Sequence, residues 1–299
     1  MSFIKVGDTI NGDSFTDKFG NSVAISKDGT VIATGAYLGS DSNGNKKGYV
    51  RLYKNNSGTW SQIGSDIYGE NIDDRFGYNV SLSDDGSIVA ISAPKNIGNG
   101  RRGGHVRVFK NNGGNWTQIG SDIDGHILND HGGAVHKTTI SLSGDGTHIA
   151  IGHPFNNYWT VNNRYRGEVR IYKNNNGTWS QVGRDIHGEE GGKVSGDLSG
   201  TSISLSKDGT MLAVGAPANS AGKGHVRVYK KDSSHYRGWA DHGVDGDIDG
   251  SNPGDGFGKY VSLSDDGNVL AIKAISSNSD LSSKGYVRIF YNNSGRWTQ

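Results

Sequence analysis

Residues 80–123 read VSLSDDGSIVAISAPKNIGNGRRGGHVRVFKNNGGNWTQIGSDI. Val80 and Leu82, then Val106 and Val108, alternate with polar residues, the period of two that puts every second side chain on one face of a strand. The tripeptide at 84–86 ends in Asp-Gly, whose conformations suit the φ > 0 positions of a tight turn between strands, and NNGG at 111–114 marks a second hairpin. Four strands follow, labelled A (VSLS, 80–83), B (IVAIS, 88–92), C (HVRVF, 105–109) and D (WTQIGSDI, 116–123). No segment of the chain sustains a 3.6-residue apolar period, and with only four prolines the breaks are made by Gly and Asn.

Outward from this stretch the same blocks recur at a period of about 60 residues. Strand D reappears as WSQIGSDI (60–67) and WSQVGRDI (179–186), with FIKVGDTI (3–10) and WADHGVDGDI (239–248) in the same frame. Strands A and B reappear as AISKDGTVIA (24–33), SLSGDGTHIA (141–150), SLSKDGTMLA (204–213) and SLSDDGNVLA (262–271). Strand C reappears as GYVRLYKNN (48–56), GEVRIYKNN (167–175), GHVRVYKKD (224–232) and GYVRIFYNN (285–293). Four strands per unit, repeated radially, describe the blade of a propeller. The expectation is therefore an all-β chain: a five-bladed β-propeller of four-stranded antiparallel blades forming one domain over 1–299. Its units are about 3–59, 60–115, 116–178, 179–238 and 239–299. RWTQ (296–299) stops where FIKVGDTI can complete the outer strand, so the fold is expected to be closed by joining the N- and C-terminal strands.

Composition agrees. Gly makes up 48 of 299 residues, against a usual share of about 7%, which favours turns over helix. Thirty-one Lys+Arg against 30 Asp+Glu leave a net charge of +1, which argues against a dedicated nucleic-acid binder. No apolar run approaches the ~20 residues of a membrane span, so no membrane insertion is expected. The absence of cysteine excludes disulfides, thiolate zinc sites and cysteine nucleophiles. MSFIKVGDTING lacks the apolar core of a secretory signal.

The blocks resemble FG-GAP repeats, the units of the integrin α-subunit propeller and of many microbial surface proteins. DKFG (17–20), DRFG (74–77) and DGFG (255–258) precede strand A. GAY (35–37), SAP (92–94), GHP (152–154) and GAP (215–217) follow strand B. The chain is also similar to Asn/Gly-rich propeller repeats of marine microbes and their viruses. Two departures stand out. The A–B turns are only SKDG or SDDG, too short to wrap a calcium ion as the family's DxDxDG loops do. His136 and Ser199 also stand where units three and four would carry the FG phenylalanine.

Arg51, Arg107, Arg170, Arg227 and Arg288 share one position in strand C, and Asp66, Asp122, Asp185 and Asp247 share one in strand D, with Thr9 the exception. Repetition in every unit favours a charged structural pair over an anion-binding ring. Asp17, Asp74, Asp197 and Asp255 precede the FG site and are expected to bond backbone amides at a turn rather than hold a cation. DGDIDG (245–250) matches a calcium signature at Asp245, Asp247 and Asp249, but two of these acids belong to the repeat frame. Asp41, Asn43 and Asn45 form a second oxygen-rich loop. Asp130, His131 and His136, with His126 nearby, lie in a Gly-rich stretch where polar loop residues are expected rather than a metal site. The Asn-x-Ser/Thr matches at Asn55, Asn115, Asn176 and Asn292 follow from hairpin chemistry. No metal or cofactor is assigned.

No GxSxG elbow, HExxH or P-loop occurs, and no catalytic residue is assigned. Length variation is confined to the B–C and D–A loops, which leave one face of a propeller, where binding is usually placed. The longest, GHPFNNYWTVNNRYRG (152–167), offers Phe155, Tyr158, Trp159, Arg164, Tyr165 and Arg166; Arg101 and Arg102 lie in the matching loop of unit two. Flat aromatic faces beside hydrogen-bond donors suit a glycan or a protein hot spot, although the same aromatics can also cap the blade's own core. Lys46, Lys47, Lys223 and Lys284 share these loops, and Glu70, Asp73, Asp74, Glu189 and Glu190 the neighbouring ones, a mixture that suits a protein partner better than a polyanion. The expected function is a non-catalytic recognition or attachment module, extracellular or on a virion surface, binding a glycan or surface protein. The alternative is a structural subunit of a virion or surface assembly, and a glycan-active hydrolase is the third reading.

Overall fold

The structure is a computed structural model and describes residues 5–97, 103–125, 137–156, 165–189, 196–243, 246–275 and 285–299. Its five antiparallel sheets each take strands A, B and C from one sequence unit, and the first four take strand D from the start of the next. The first is β1 (Phe19–Ile25), β2 (Val31–Ala36), β3 (Tyr49–Asn56), β4 (Thr59–Gln62) and β5 (Ile67–Tyr68). The second is β6 (Val80–Leu82), β7 (Ile88–Ala93), β8 (His105–Asn112), β9 (Asn115–Gln118) and β10 (Ile123–Asp124). The third is β11 (Thr139–Leu142), β12 (His148–His153), β13 (Glu168–Asn175), β14 (Thr178–Gln181) and β15 (Ile186–His187). The fourth is β16 (Ser202–Leu205), β17 (Met211–Ala216), β18 (His225–Lys231), β19 (Trp239–Asp241) and β20 (Ile248–Asp249). The fifth is β21 (Tyr260–Leu263), β22 (Val269–Ala274), β23 (Tyr286–Asn293) and β24 (Arg296–Thr298).

Strands A, B and C are the first three of each sheet, as expected. Strand D is not one strand. In the first four sheets it is two short segments that both pair with strand C, such as β4 and β5 with β3. The break falls at the recurring Ile/Val-Gly pair. Gly64 adopts φ +71°, and a Cβ there would lie 2.0 Å from the Gly114 carbonyl oxygen of the next hairpin. The repeated Trp bridges the same place: the Trp60, Trp116, Trp239 and Trp297 indoles donate to the carbonyls of Val6, Ile63, Val182 and His242, respectively, at 2.9–3.2 Å.

The A–B turns differ from the expectation in one respect. Glycine alone takes positive φ (Gly29 +72°, Gly86 +67°). The aspartate instead organises the turn with its side chain: Asp28 Oδ1 accepts from Ser26 Oγ at 2.6 Å and Thr30 N at 2.9 Å, and Ser26 Oγ accepts from Val31 N at 2.9 Å. The FG and GAP glycines have a shared steric cause. A Cβ at Gly35 would lie 2.1 Å from the Gly77 carbonyl oxygen, and one at Gly215 2.0 Å from that of Gly258. Each GAP glycine thus leaves room for the FG glycine of the following sheet. Ser92 stands at the GAP glycine position of unit two, and unit three carries His136 and Lys137 in place of Phe-Gly.

Two compact units divide the chain, one covering Met1–His126 with Asn176–Thr178, the other Ile127–Asn175 with Trp179–Gln299. In the first, the core lies between neighbouring sheets: Val50 and Leu52 of β3 pack in one cluster with Phe76, Val89 and Ile91. In the second, Val169 and Ile171 of β13 cluster with Leu205, Leu212 and Val214, and Val226 and Val228 of β18 with Leu263, Leu270 and Ile272. Burying both faces of such narrow sheets requires a neighbour on each side. No helix among the described residues is long and apolar enough to cross a membrane.

Candidate functional site

Strand C begins at the end of the blade from which the B–C and D–A loops leave. Its first residue is Tyr49, His105, Glu168, His225 or Tyr286, and its third is the repeated arginine. In three sheets the arginine meets the strand-D aspartate, as expected. Arg51 Nε lies 2.7 Å from Asp66 Oδ1, Arg170 Nη2 3.2 Å from Asp185 Oδ2, and Arg227 Nε 2.7 Å from Asp247 Oδ1. A second acid sits just past the Gly that follows strand D. Asp13 accepts from Arg51 at 2.7 and 3.0 Å, and Glu189 pairs with Arg227. In the third sheet this acid comes from strand C itself, Glu168 Oε1 lying 2.7 Å from Arg170 Nη2. Burial pushes Glu168 up to about 7, with the Arg170 charge opposing.

The second sheet breaks the pattern. Arg107 donates through Nη2 to the Tyr68 carbonyl at 2.6 Å and lies over the Phe76 ring at 4.5 Å. Its Nη1 stays 3.6 Å from Glu70 Oε1, too far for a hydrogen bond, and the expected Arg107–Asp122 pair is not formed among the described contacts. Asp122 instead accepts from Gln118 Nε2 at 2.7 Å and faces His105 Nδ1 at 3.1 Å.

Among the described residues two triads result, Glu70–His105–Asp122 and Glu189–His225–Asp247, whose candidate ligand atoms lie within 4.8 Å of one another in each. The tyrosines of the first and fifth sheets explain why the triads occur only where strand C begins with His. Tyr49 and Tyr286 donate their hydroxyls to Asp17 (3.3 Å) and Asp255 (2.8 Å). In the second and fourth sheets that task passes to Asn96 and Asn219, which donate to Asp74 at 2.8 Å and Asp197 at 2.9 Å. The histidines are thereby free to face the carboxylates. Burial lowers the pKa of His105. Asp247 is held well below the usual carboxylate range, because hydrogen bonds from His225 and Arg227 outweigh its burial.

Asp17, Asp74, Asp197 and Asp255 also accept backbone amides, from Ser14 (3.1 Å), Asn71 (2.8 Å), Glu189 and Asn252 (2.9 Å). Their oxygens face donors, as a turn-forming role requires. The Asp41 loop is likewise an Asx turn, with Asp41 Oδ1 accepting from Asn43 N at 2.9 Å and Asn45 N at 3.0 Å and Lys47 Nζ at 3.5 Å from Oδ2. Asp249 has Lys223 Nζ at 3.4 Å.

Of the expected binding residues, Arg101, Arg102, Tyr158, Trp159 and Arg164 lie outside the described residues, as do His126, Asp130, His131, His136 and Asp245. Phe155, Tyr165 and Arg166 are described. The Phe155 and Tyr165 rings meet edge-on, with centroids 5.4 Å apart, and both are half-buried. Arg166 Nε donates to the Gly188 carbonyl at 3.0 Å. These three residues thus brace the two ends of the unit-three loop. Sequence reasoning named Glu70, Glu189, Asp122 and Asp247 but passed over His105 and His225; their shared place in GHVRV (104–108, 224–228) was the available signal.

Residues 11–53 match the FG-GAP repeat. The same blocks recur in the other four units of this chain. No curated protein matches in sequence. Among solved structures, the periplasmic gluconolactonase PpgL of Pseudomonas aeruginosa is 15% identical, with a TM-score of 0.57 over 94% of this chain and 71% of its own. A protein described as TolB from Agrobacterium tumefaciens is 13% identical, with a TM-score of 0.51 over 94% of this chain and 80% of its own. TolB from Acinetobacter baumannii is 17% identical at a TM-score of 0.48, and the chain, matched over 92% of its residues, spans about half (52%) of that protein. At these identities the likeness is one of fold. The FG-GAP match and the five antiparallel sheets together describe β-propeller blades.

Proposed function

We propose that the chain is a non-catalytic recognition module, extracellular or on a virion surface, that binds a glycan or a surface protein through its B–C and D–A loops. The observation that carries this reading is the Phe155–Tyr165 pair with Arg166, half-buried at the base of the longest loop and held to the blade through Gly188. A loop clamped at both ends can present its remaining aromatic and basic residues at a reduced ordering cost. Four strand-C arginines are engaged by acids or by a carbonyl, and Arg288 by the Ser251 hydroxyl, so they serve the scaffold and the loops are left for the ligand. The test is a glycan array on the purified chain, with calcium and with chelator, beside Trp159→Ala and Tyr165→Ala. Binding that falls in both variants supports the site. Full binding in both variants removes the site from this loop, and no binding by the parent chain removes glycans as the ligand.

The same reading closes the five blades into one domain. Val23 and Ile25 of β1 are 61% and 58% exposed, whereas their counterparts Ile203 and Leu205 are 9% and 7% exposed. Val287 and Ile289 of β23 are 61% and 49% exposed, whereas Val226 and Val228 are buried. Each set is the face that the intervening sheets bury against a neighbour. Among the described residues the fifth sheet has a single outer segment, and on this reading residues 6–10, which carry the frame of a second one, are its missing partner. One specific observation favours the alternative of an assembly subunit: these same two apolar faces can join separate copies. Size-exclusion chromatography with light scattering separates the two, closure giving a monomer that Ile289→Asp destabilises, assembly giving multimers that Ile289→Asp dissociates.

A further inference from the structure

We infer that Glu70, His105 and Asp122 form a binding site for one divalent transition-metal ion of the zinc class. The inference stands apart from the recognition reading above. His105 is only 2% exposed, and neither ring nitrogen has a hydrogen-bond partner. A buried imidazole whose nitrogens make no aligned hydrogen bond is costly, and a metal ion is the partner that a neutral imidazole flanked by carboxylates fits best. Its Nδ1 lies 3.1 Å from Asp122 Oδ2 and 3.9 Å from Glu70 Oε2. Donors on a tetrahedral ion with bonds of about 2.0–2.1 Å are separated by about 3.3 Å, so small side-chain movements bring these atoms onto one ion. Glu70 is the most exposed of the three and leaves the fourth position on the solvent side.

Arg107 is the opposing charge. It is turned away onto the Tyr68 carbonyl and the Phe76 ring, and its nearest approach is to the other Glu70 oxygen. The fourth sheet supplies the internal control. There Arg227 bridges Glu189 and Asp247, and a guanidinium already occupies the space between the carboxylates. Glu189–His225–Asp247 is therefore expected to take no ion while Arg227 is in place.

The experiment is titration of the tag-free full chain with Zn²⁺ by calorimetry, and with Co²⁺ by visible absorption, which reports coordination geometry. The expected result is one equivalent bound, weakened at least about tenfold by His105→Ala and by Glu70→Gln, and unchanged in His225→Ala. Glu70→Gln alters an exposed side chain and keeps the test valid if His105→Ala does not fold. No binding by the parent chain, binding indifferent to both His105→Ala and Glu70→Gln, or equal loss in His225→Ala each overturns the inference.

Discussion

The second and fourth sheets carry the same three ligand-type side chains at the same frame positions, yet their electrostatics differ because one arginine points elsewhere. Arg227 lies against Asp247 through Nε at 2.7 Å and against Glu189, making one closed ion cluster. Arg107 is drawn to Phe76, the FG phenylalanine of its own unit, and to a backbone carbonyl. The fourth unit has Ser199 at that phenylalanine position, so its arginine has no such ring to stack upon. The FG ring alone does not set the choice, since Arg51 has Phe19 in its unit and still pairs with Asp13 and Asp66; what separates the two triads is that Arg107 rests on a ring and a carbonyl, whereas Arg227 lies between the two acids.

Removing the bridge should have the largest effect. Arg227→Met leaves Glu189 without its partner and Asp247 with only His225, and is expected to lower stability by about 3 kcal/mol, read by urea denaturation. If the comparison is sound, the same variant gains a second equivalent of Co²⁺ because its triad then resembles the one around His105.

The third sheet offers an intermediate case in pH. Glu168 titrates at about 7 in the fold against an ordinary 4.5. Between these values the folded state holds more protons than the unfolded one, so stability falls as pH rises through that window. Glu168→Gln should abolish a decline of about 2 kcal/mol between pH 4.5 and 7, measured by thermal melts across pH.

Asp247 has the opposite sign. Its folded pKa lies below the unfolded value, so its contribution is present at neutral pH and lost as pH falls below about 4. Asp247→Asn should cost about 2 kcal/mol at pH 7, and the gap from the parent chain should close on acidification.

The smallest difference is between the two exposed glutamates. Glu189→Gln, which loosens Arg227, is expected to cost about 0.5–1 kcal/mol, and Glu70→Gln less than about 0.5 kcal/mol. An equal cost at both positions would show that Arg107 is paired with Glu70 in solution.

Much of this was legible in advance. The strands A, B and C follow from alternation, and the FG and GAP motifs flank strands A and B in the sequence. The break in strand D was less visible, because nothing in WTQIGSDI (116–123) states that the Gly must pass against the next hairpin. Phe155, Tyr165 and Arg166 are legible as loop residues, but the Arg166–Gly188 bond joins chain segments 22 residues apart.

The sequence by itself determined the period, the strand order within each sheet and the turn chemistry, because these depend on residues within a few positions of one another. Tertiary structure decided which charges meet. Arg51 reaches back 38 residues to Asp13, and Arg227 reaches Glu189 across the same interval. The position of Arg107 is set by a buried ring and a carbonyl rather than by the acids nearest in the repeat. A local pattern cannot rank such competing partners, since their energies depend on distance and burial that exist only once the sheets have packed.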